Sequence, residues 1–180
     1  MASRELLLPL VVAILIGAPC SAQNAAVDRS TDSCSVTSSQ NPPFLPQSPG
    51  FHRPPKGEFW YGSDQLWTLL GNDGTWSEQA PPDCDGFCTK LTYWSEDFDW
   101  RREPHPKLSV TAHRLDHEAP LVMASRAKAV FVTGPLPVAM MVGIDVPASG
   151  CWEITAKYRG QKLSFVRSVR LDRHLHSDRK

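Results

Sequence analysis

One stretch near the C-terminus constrains the fold more than any other. Trp152, Ile154, Ala156 and Tyr158 alternate with Glu153, Thr155 and Lys157. A period of two sorts apolar and polar side chains onto opposite faces of a β-strand. Arg159-Gly160-Gln161 then turns the chain, and Lys162 to Leu171 reads as the returning strand. The same rhythm runs upstream. Leu108, Val110 and Ala112 alternate with Ser109, Thr111 and His113, and Val138 to Val146 is a nearly continuous apolar run suited to a central strand. Thr89 to Trp94 is a further strand. Phe59-Trp60-Tyr61 closes on Gly62, Gln65 to Leu70 is strand-like, and Gly71-Asn72-Asp73-Gly74 followed by Thr75-Trp76 predicts a β-hairpin. Asp116 to Lys128 has no clear period and fits a short helical turn around Met123 to Lys128. No long 3.6-residue period follows the N-terminal apolar run. About seven short strands at roughly ten-residue spacing predict an all-β sandwich.

The N-terminus reads as a secretory signal over residues 1–22. Arg4 supplies a positive start, and Leu6 to Ile16 is an apolar run broken only by Pro9. Such a run is shorter than the roughly 20 residues that span a bilayer. Cleavage after Ala22 places Cys20 and Ala22 at the two positions that must be small. A lipoprotein anchored through Cys20 is the alternative, with Pro19 standing where Gly, Ala or Ser usually precedes the lipidated cysteine. The expected location is therefore secreted or periplasmic, without a membrane span.

Export leaves four cysteines, Cys34, Cys84, Cys88 and Cys151, with three possible connectivities. Cys84 and Cys88 can meet because Asp85-Gly86 lets the chain turn between them. Cys151 precedes the inward-facing Trp152, so alternation points it out of its sheet. Residues 23–56 are rich in Ser and Thr and then in proline: Pro42, Pro43, Pro46, Pro49, Pro54 and Pro55. Proline removes ladder donors, so this stretch reads as an extended N-terminal arm lying on the domain. A ligand for a partner's aromatic groove is the other reading. Cys34 is the only cysteine in the arm, so the pairs expected are Cys34–Cys151 and Cys84–Cys88. The β domain is expected over 57–171 and a polar tail over 172–180.

The run Pro147-Ala148-Ser149-Gly150-Cys151-Trp152-Glu153-Ile154-Thr155, continued by Tyr158-Arg159-Gly160 and Leu163-Ser164-Phe165-Val166, resembles the end of immunoglobulin-like domains of exported bacterial proteins. It is also similar to uncharacterised secreted bacterial proteins with a Gly-Cys-Trp-Glu strand and an upstream cysteine. The resemblance covers Pro147 to Val169 closely and Leu66 to Val169 loosely. It implies an immunoglobulin-like antiparallel β-sandwich and no activity, because a sandwich hosts many unrelated functions. The cysteine placement departs from the antibody pattern.

Lys and Arg number 19, as do Asp and Glu. This balance argues against nucleic acid as a partner, since that needs a concentrated basic face. Nucleophilic catalysis lacks a Gly-x-Ser-x-Gly elbow, and Ser149 sits in a plain turn. The acidic aromatic stretch Tyr93 to Trp100 carries Glu96, Asp97 and Asp99, but adjacent acids do not create the separation glycosidases use. His113 and His117 would stand about 13 Å apart on a strand, too far for one ion. The pair His174 and His176 could bind metal only weakly, the pair Cys84 and Cys88 lacks a second Cys or His pair at zinc-finger spacing, and Met123, Met140 and Met141 form no copper-type cluster. No catalytic residue, metal or cofactor is expected.

Tryptophan is the unusual feature, at positions 60, 67, 76, 94, 100 and 152. Large aromatics fill sandwich cores or stack on flat ligands. Trp67 and Trp152 lie in strand patterns and are expected in the core. Trp60, Tyr61, Trp94 and Trp100 flank loops and are the candidate ligand-binding residues. The function expected is a non-catalytic binding or structural module, monomeric, with an extracellular or periplasmic protein or glycan as partner. A carbohydrate-binding module is the alternative, and an extracellular hydrolase the weakest one.

Overall fold

The structure is a computed structural model and describes residues 34–48, 50–51, 53–76, 86–132 and 136–170. No described residue is helical. The described residues form ten strands in order: β1 (Glu58–Ser63), β2 (Leu66–Gly71), β3 (Thr75–Trp76), β4 (Phe87–Trp94) and β5 (Ser109–Arg114), then β6 (Val122–Met123), β7 (Lys128–Val130), β8 (Ala139–Val146), β9 (Gly150–Tyr158) and β10 (Gln161–Val169). They form two sheets, one in the order β1-β2-β4-β8-β7 and the other β3-β10-β9-β5-β6. The all-β sandwich read from the sequence is present.

The inner faces follow from alternation. In β9, Trp152, Ile154, Ala156 and Tyr158 point inward. They meet Val110 and Ala112 of β5, Phe165 of β10, and Met140, Val142 and Ile144 of β8 in one buried cluster. The β9–β10 hairpin is present, but its turn is Arg159-Gly160 alone: Gln161 already belongs to β10 and lies opposite Tyr158, and Trp152 lies opposite Arg167. β8, the nearly continuous apolar run, pairs with β4 on one side and β7 on the other. Like β9, which lies between β10 and β5, it is a central strand, and its burial alternates too, with Met140, Val142, Ile144 and Val146 in the inner cluster.

Two local expectations are corrected. The Gly71–Gly74 turn does not close a hairpin. The hairpin is β1–β2, with Ser63 opposite Leu66. After Gly74 the chain leaves that sheet, and β3 joins the other one parallel to β10. Asp73 holds this exit: its carboxylate accepts the Thr75 hydroxyl and the Thr75 amide at 3.1 Å, and chiefly the hydroxyl bond keeps the carboxyl below its ordinary range. Nor is there a helical turn at Met123 to Lys128. That segment runs from the end of β6 to the start of β7 and crosses between sheets: the Ala124 amide donates to Val110 of the second sheet, and the Ser125 amide to Gly143 of the first.

The tight β1–β2 hairpin depends on Gly62. Its φ is 136°, and a Cβ there would overlap the Leu66 carbonyl oxygen and lie 2.8 Å from the Trp67 Cα. We expect Gly62→Ala to cost about 1–3 kcal/mol, checked by denaturant unfolding. Stability equal to that of the parent would show that the hairpin relaxes freely.

Candidate binding site

Part of the outer face of the first sheet is shielded from water. Trp60 of β1, Trp67 of β2, Trp94 of β4 and Ala139 of β8 form a second buried cluster on that face. Residues from the proline-rich segment cover it. The Phe51 ring lies 5.3 Å from Trp60, 5.1 Å from Trp67 and 5.7 Å from Trp94, each edge-to-face. Phe44 reaches Trp67 at 6.5 Å. Edge-to-face pairs of this kind contribute about 0.5–1.5 kcal/mol beyond the area they bury. The Trp94 indole N–H also donates to the Pro137 carbonyl at 3.1 Å.

This corrects the placement of two candidate ligand residues. Trp60 and Trp94 are only 2 % and 3 % exposed, and their rings meet at 90°. Neither offers a flat face to a ligand. The reason is that Phe44 and Phe51 supply apolar cover that strand periodicity does not reveal. Tyr61 is half-buried, packs against the inner core and meets Phe59 edge-to-face at 6.4 Å.

The same N-terminal segment is tied to the second sheet. Cys34 and Cys151 form a disulfide across 117 positions of sequence. The Thr37 amide donates to the Val166 carbonyl, and the Val166 amide to the Thr37 hydroxyl. Cys151 sits beside inward-facing Trp152 in β9 and turns to the outer side, as alternation requires. An intramolecular disulfide is compatible with an exported protein. Cys88 is also disulfide-bonded, while Cys84 lies outside the described residues. So do the cleavage region, the start of the arm and the C-terminal tail.

Trp100 stands apart from the buried tryptophans. It lies in the β4–β5 loop and is half-buried. Its ring meets Phe131, at the end of β7, at 5.2 Å and 70°. Phe131 is 77 % exposed. The Arg101 guanidinium sits 4.8 Å from the Trp100 ring centre, within cation–π range. Asp99 pairs with Arg102 at 3.3 Å on the exposed side of the loop.

Glu103 anchors this loop. Its Oε2 accepts the Tyr158 hydroxyl at 2.7 Å and the Arg159 guanidinium at 3.2 Å, and its Oε1 accepts the Lys107 amide at 2.7 Å. The Ala129 amide adds a bond to the Pro104 carbonyl. Burial pushes the Glu103 carboxyl up, but the three donors outweigh it and hold the group below its ordinary 4.5. Burial, reinforced by Glu103, pushes the Tyr158 phenol up, so it stays a donor. A carboxylate saturated in this way positions a loop and is poorly suited to general acid chemistry.

Because the folded-state value lies below the unfolded one, this stabilisation is present above about pH 4.5 and is lost as pH falls through the folded value. Glu103→Ala is expected to cost about 1–3 kcal/mol at pH 7 by orphaning the Tyr158 hydroxyl. The gap from the parent should shrink on acidification to pH 3. A gap that stays constant across a pH series of melting curves would exclude the charged anchor.

The sequence reading named Trp100 but missed Phe131, Phe44, Phe51 and Glu103. Phe131 follows a segment without clear period, and the two other phenylalanines sit among prolines. No family model, curated protein or solved structure matches this chain.

Proposed function

We propose that the chain is an exported, non-catalytic binding module with an immunoglobulin-like sandwich, and that it binds through the end carrying Trp100 and Phe131. The strand order supports the fold. β4-β8-β7 corresponds to the B-E-D run of such domains, and β10-β9-β5-β6 to G-F-C with the added C′ strand. In that architecture the loops gather at two ends, where binding is built on a rigid scaffold.

One observation carries the choice of end: Phe131 is exposed yet held in place against Trp100. A large apolar side chain kept in water at a fixed position favours a partner that covers it. The outer face of the first sheet, where Trp60 and Trp94 lie, is filled by the chain's own Phe51. A glycan stacking flat on Trp100 would have to displace Arg101 or use the other ring face, so the coplanar platform of a carbohydrate-binding module is the less supported alternative.

The test is a titration followed by amide and indole NMR, using oligosaccharide and peptide panels. The Trp100 indole signal is expected to move on ligand addition while those of Trp60, Trp94 and Trp152 stay fixed. Shifts centred on β3 and β10, or turnover of any panel member, would reject this reading.

A further inference from the structure

Five large apolar side chains stand exposed among the described residues: Leu45, Leu115, Leu121, Met123 and Phe131. Leu45 belongs to the N-terminal segment. Leu115 follows β5 and bonds to β9, while Leu121, Met123 and Phe131 lie along the flank built by the crossing from β6 to β7. Residues Leu121 to Phe131 run along it as the edge of first one sheet and then the other. At about 3.3 Å per residue the run spans roughly 30 Å. Met123 is 63 % exposed near its start, and Phe131 marks its end.

The charges on this run share one sign. Residues 119–144 contain no Asp or Glu, and their two charged residues are Arg126 and Lys128. Both are exposed. At the Phe131 end the run continues onto Trp100 with its stacked Arg101; Asp99 beside it is paired with Arg102, while Glu96 and Asp97 of the same loop are exposed and oppose the anionic contact at this end. A cation on an edge strand also discourages strand-to-strand pairing. That accounts for Lys128 alone, because exposed Met123 and Phe131 promote association.

We propose that this flank rests on an anionic lipid surface. Met123, Phe131 and Trp100 would enter the boundary between headgroups and acyl chains, and Arg101, Arg126 and Lys128 would meet the anionic headgroups. The residue types match those that seat peripheral proteins at that boundary. The shape favours lipid over protein. Met123 stands apart from the Phe131–Trp100 pair along an edge, and a fluid boundary accepts such separated apolar groups. A protein partner needs matching pockets for its anchors. The proposal rests on the reading that Phe131 and Trp100 mark the binding end, and it names the partner.

The experiment uses protein recovered from the exported fraction, sedimented with vesicles of phosphatidylcholine alone or with phosphatidylglycerol added. Binding is expected on the anionic vesicles and should weaken strongly when salt is raised from 20 to about 500 mM, as screening shortens. Each cation at such a surface is worth about fivefold in affinity. The double variant Arg126→Glu, Lys128→Glu should therefore lose more than about tenfold. Phe131→Ser should lose severalfold, and Leu45→Ser should bind like the parent. All four positions are exposed, and melting curves confirm that the variants fold. Equal binding by parent and variants, or none above the phosphatidylcholine background, overturns the proposal. Retention on immobilised polyglutamate without vesicle binding also overturns it and assigns the flank to an acidic protein. If vesicles fail while the Trp100 indole still responds to a soluble ligand, the lipid assignment falls and the binding-module reading stands.

Discussion

Trp152→Ala is expected to remove about 3–5 kcal/mol of stability, the usual cost of truncating a buried tryptophan. Trp152 is fully buried in β9, where it meets residues of both sheets. Its indole N–H donates to the Ala148 carbonyl at 3.1 Å, closing the β8–β9 turn from inside. The substitution thus opens a cavity and orphans a turn carbonyl together. A small domain has a total of about 5–15 kcal/mol, so the variant should be marginal or unfolded at 37 °C. Trp152→Phe keeps most of the volume and loses the hydrogen bond. It should retain more than half of the lost stability if packing dominates. Urea unfolding of both variants decides the point, and a midpoint for Trp152→Ala within error of the parent would show that the inner stripe does not carry the core.

That stripe was legible because period two is a local property. Trp152, Ile154, Ala156 and Tyr158 declare their face without knowledge of any partner strand, and the Arg159-Gly160 turn fixes the register of β10. Sheet membership was less legible. Thr75 and Trp76 follow a turn signal that serves a hairpin or a crossover equally well, and only their bonds to β10 separate the two. β6 and β7 have two and three residues, too few for a period to emerge. They also exchange sheets midway, so the face that is inward changes along the run.

The candidate site was legible only in part, for a related reason. Trp60 and Trp94 flank loops and read as surface residues, while Trp67 reads as core from its strand pattern; the structure puts all three on the outer face of the first sheet, opposite the inner stripe. A residue opposite the inner stripe is expected to meet water unless another layer covers it. Phe44 and Phe51 provide that layer, and they carry no periodic signal because prolines surround them. Trp100 kept its surface position because its loop is anchored from below by Glu103 and Tyr158 and has no covering segment among the described residues.

The covering layer leads to the second large effect. Replacing Cys34 and Cys151 together with serine is expected to lower stability by up to about 4–5 kcal/mol. The bridge closes a loop of 117 positions, and in the chain-entropy model a loop of about this length restricts the unfolded state by that much. For a domain of this size the shift corresponds to roughly 10–15 °C in Tm. The folded state should change as well. The bridge fixes one end of residues 34–51 on the second sheet, and Phe44 and Phe51 lie on the outer face of the first. Without the bridge, that segment holds on through the Thr37–Val166 bonds, the Gln47 amide bond to the Asp64 carboxylate and the aromatic contacts. Partial release would wet Trp60, Trp67 and Trp94, so native-state tryptophan emission should move to longer wavelength. Phe51→Ala gives a reference, since it uncovers the same three indoles with the bridge intact. If the double serine variant melts lower but keeps the parent's emission, the bridge acts on the unfolded chain alone. If it also shows the Phe51→Ala emission, the disulfide clamps the aromatic cover. An unchanged Tm under both reducing and oxidising conditions would contradict either role for the bridge.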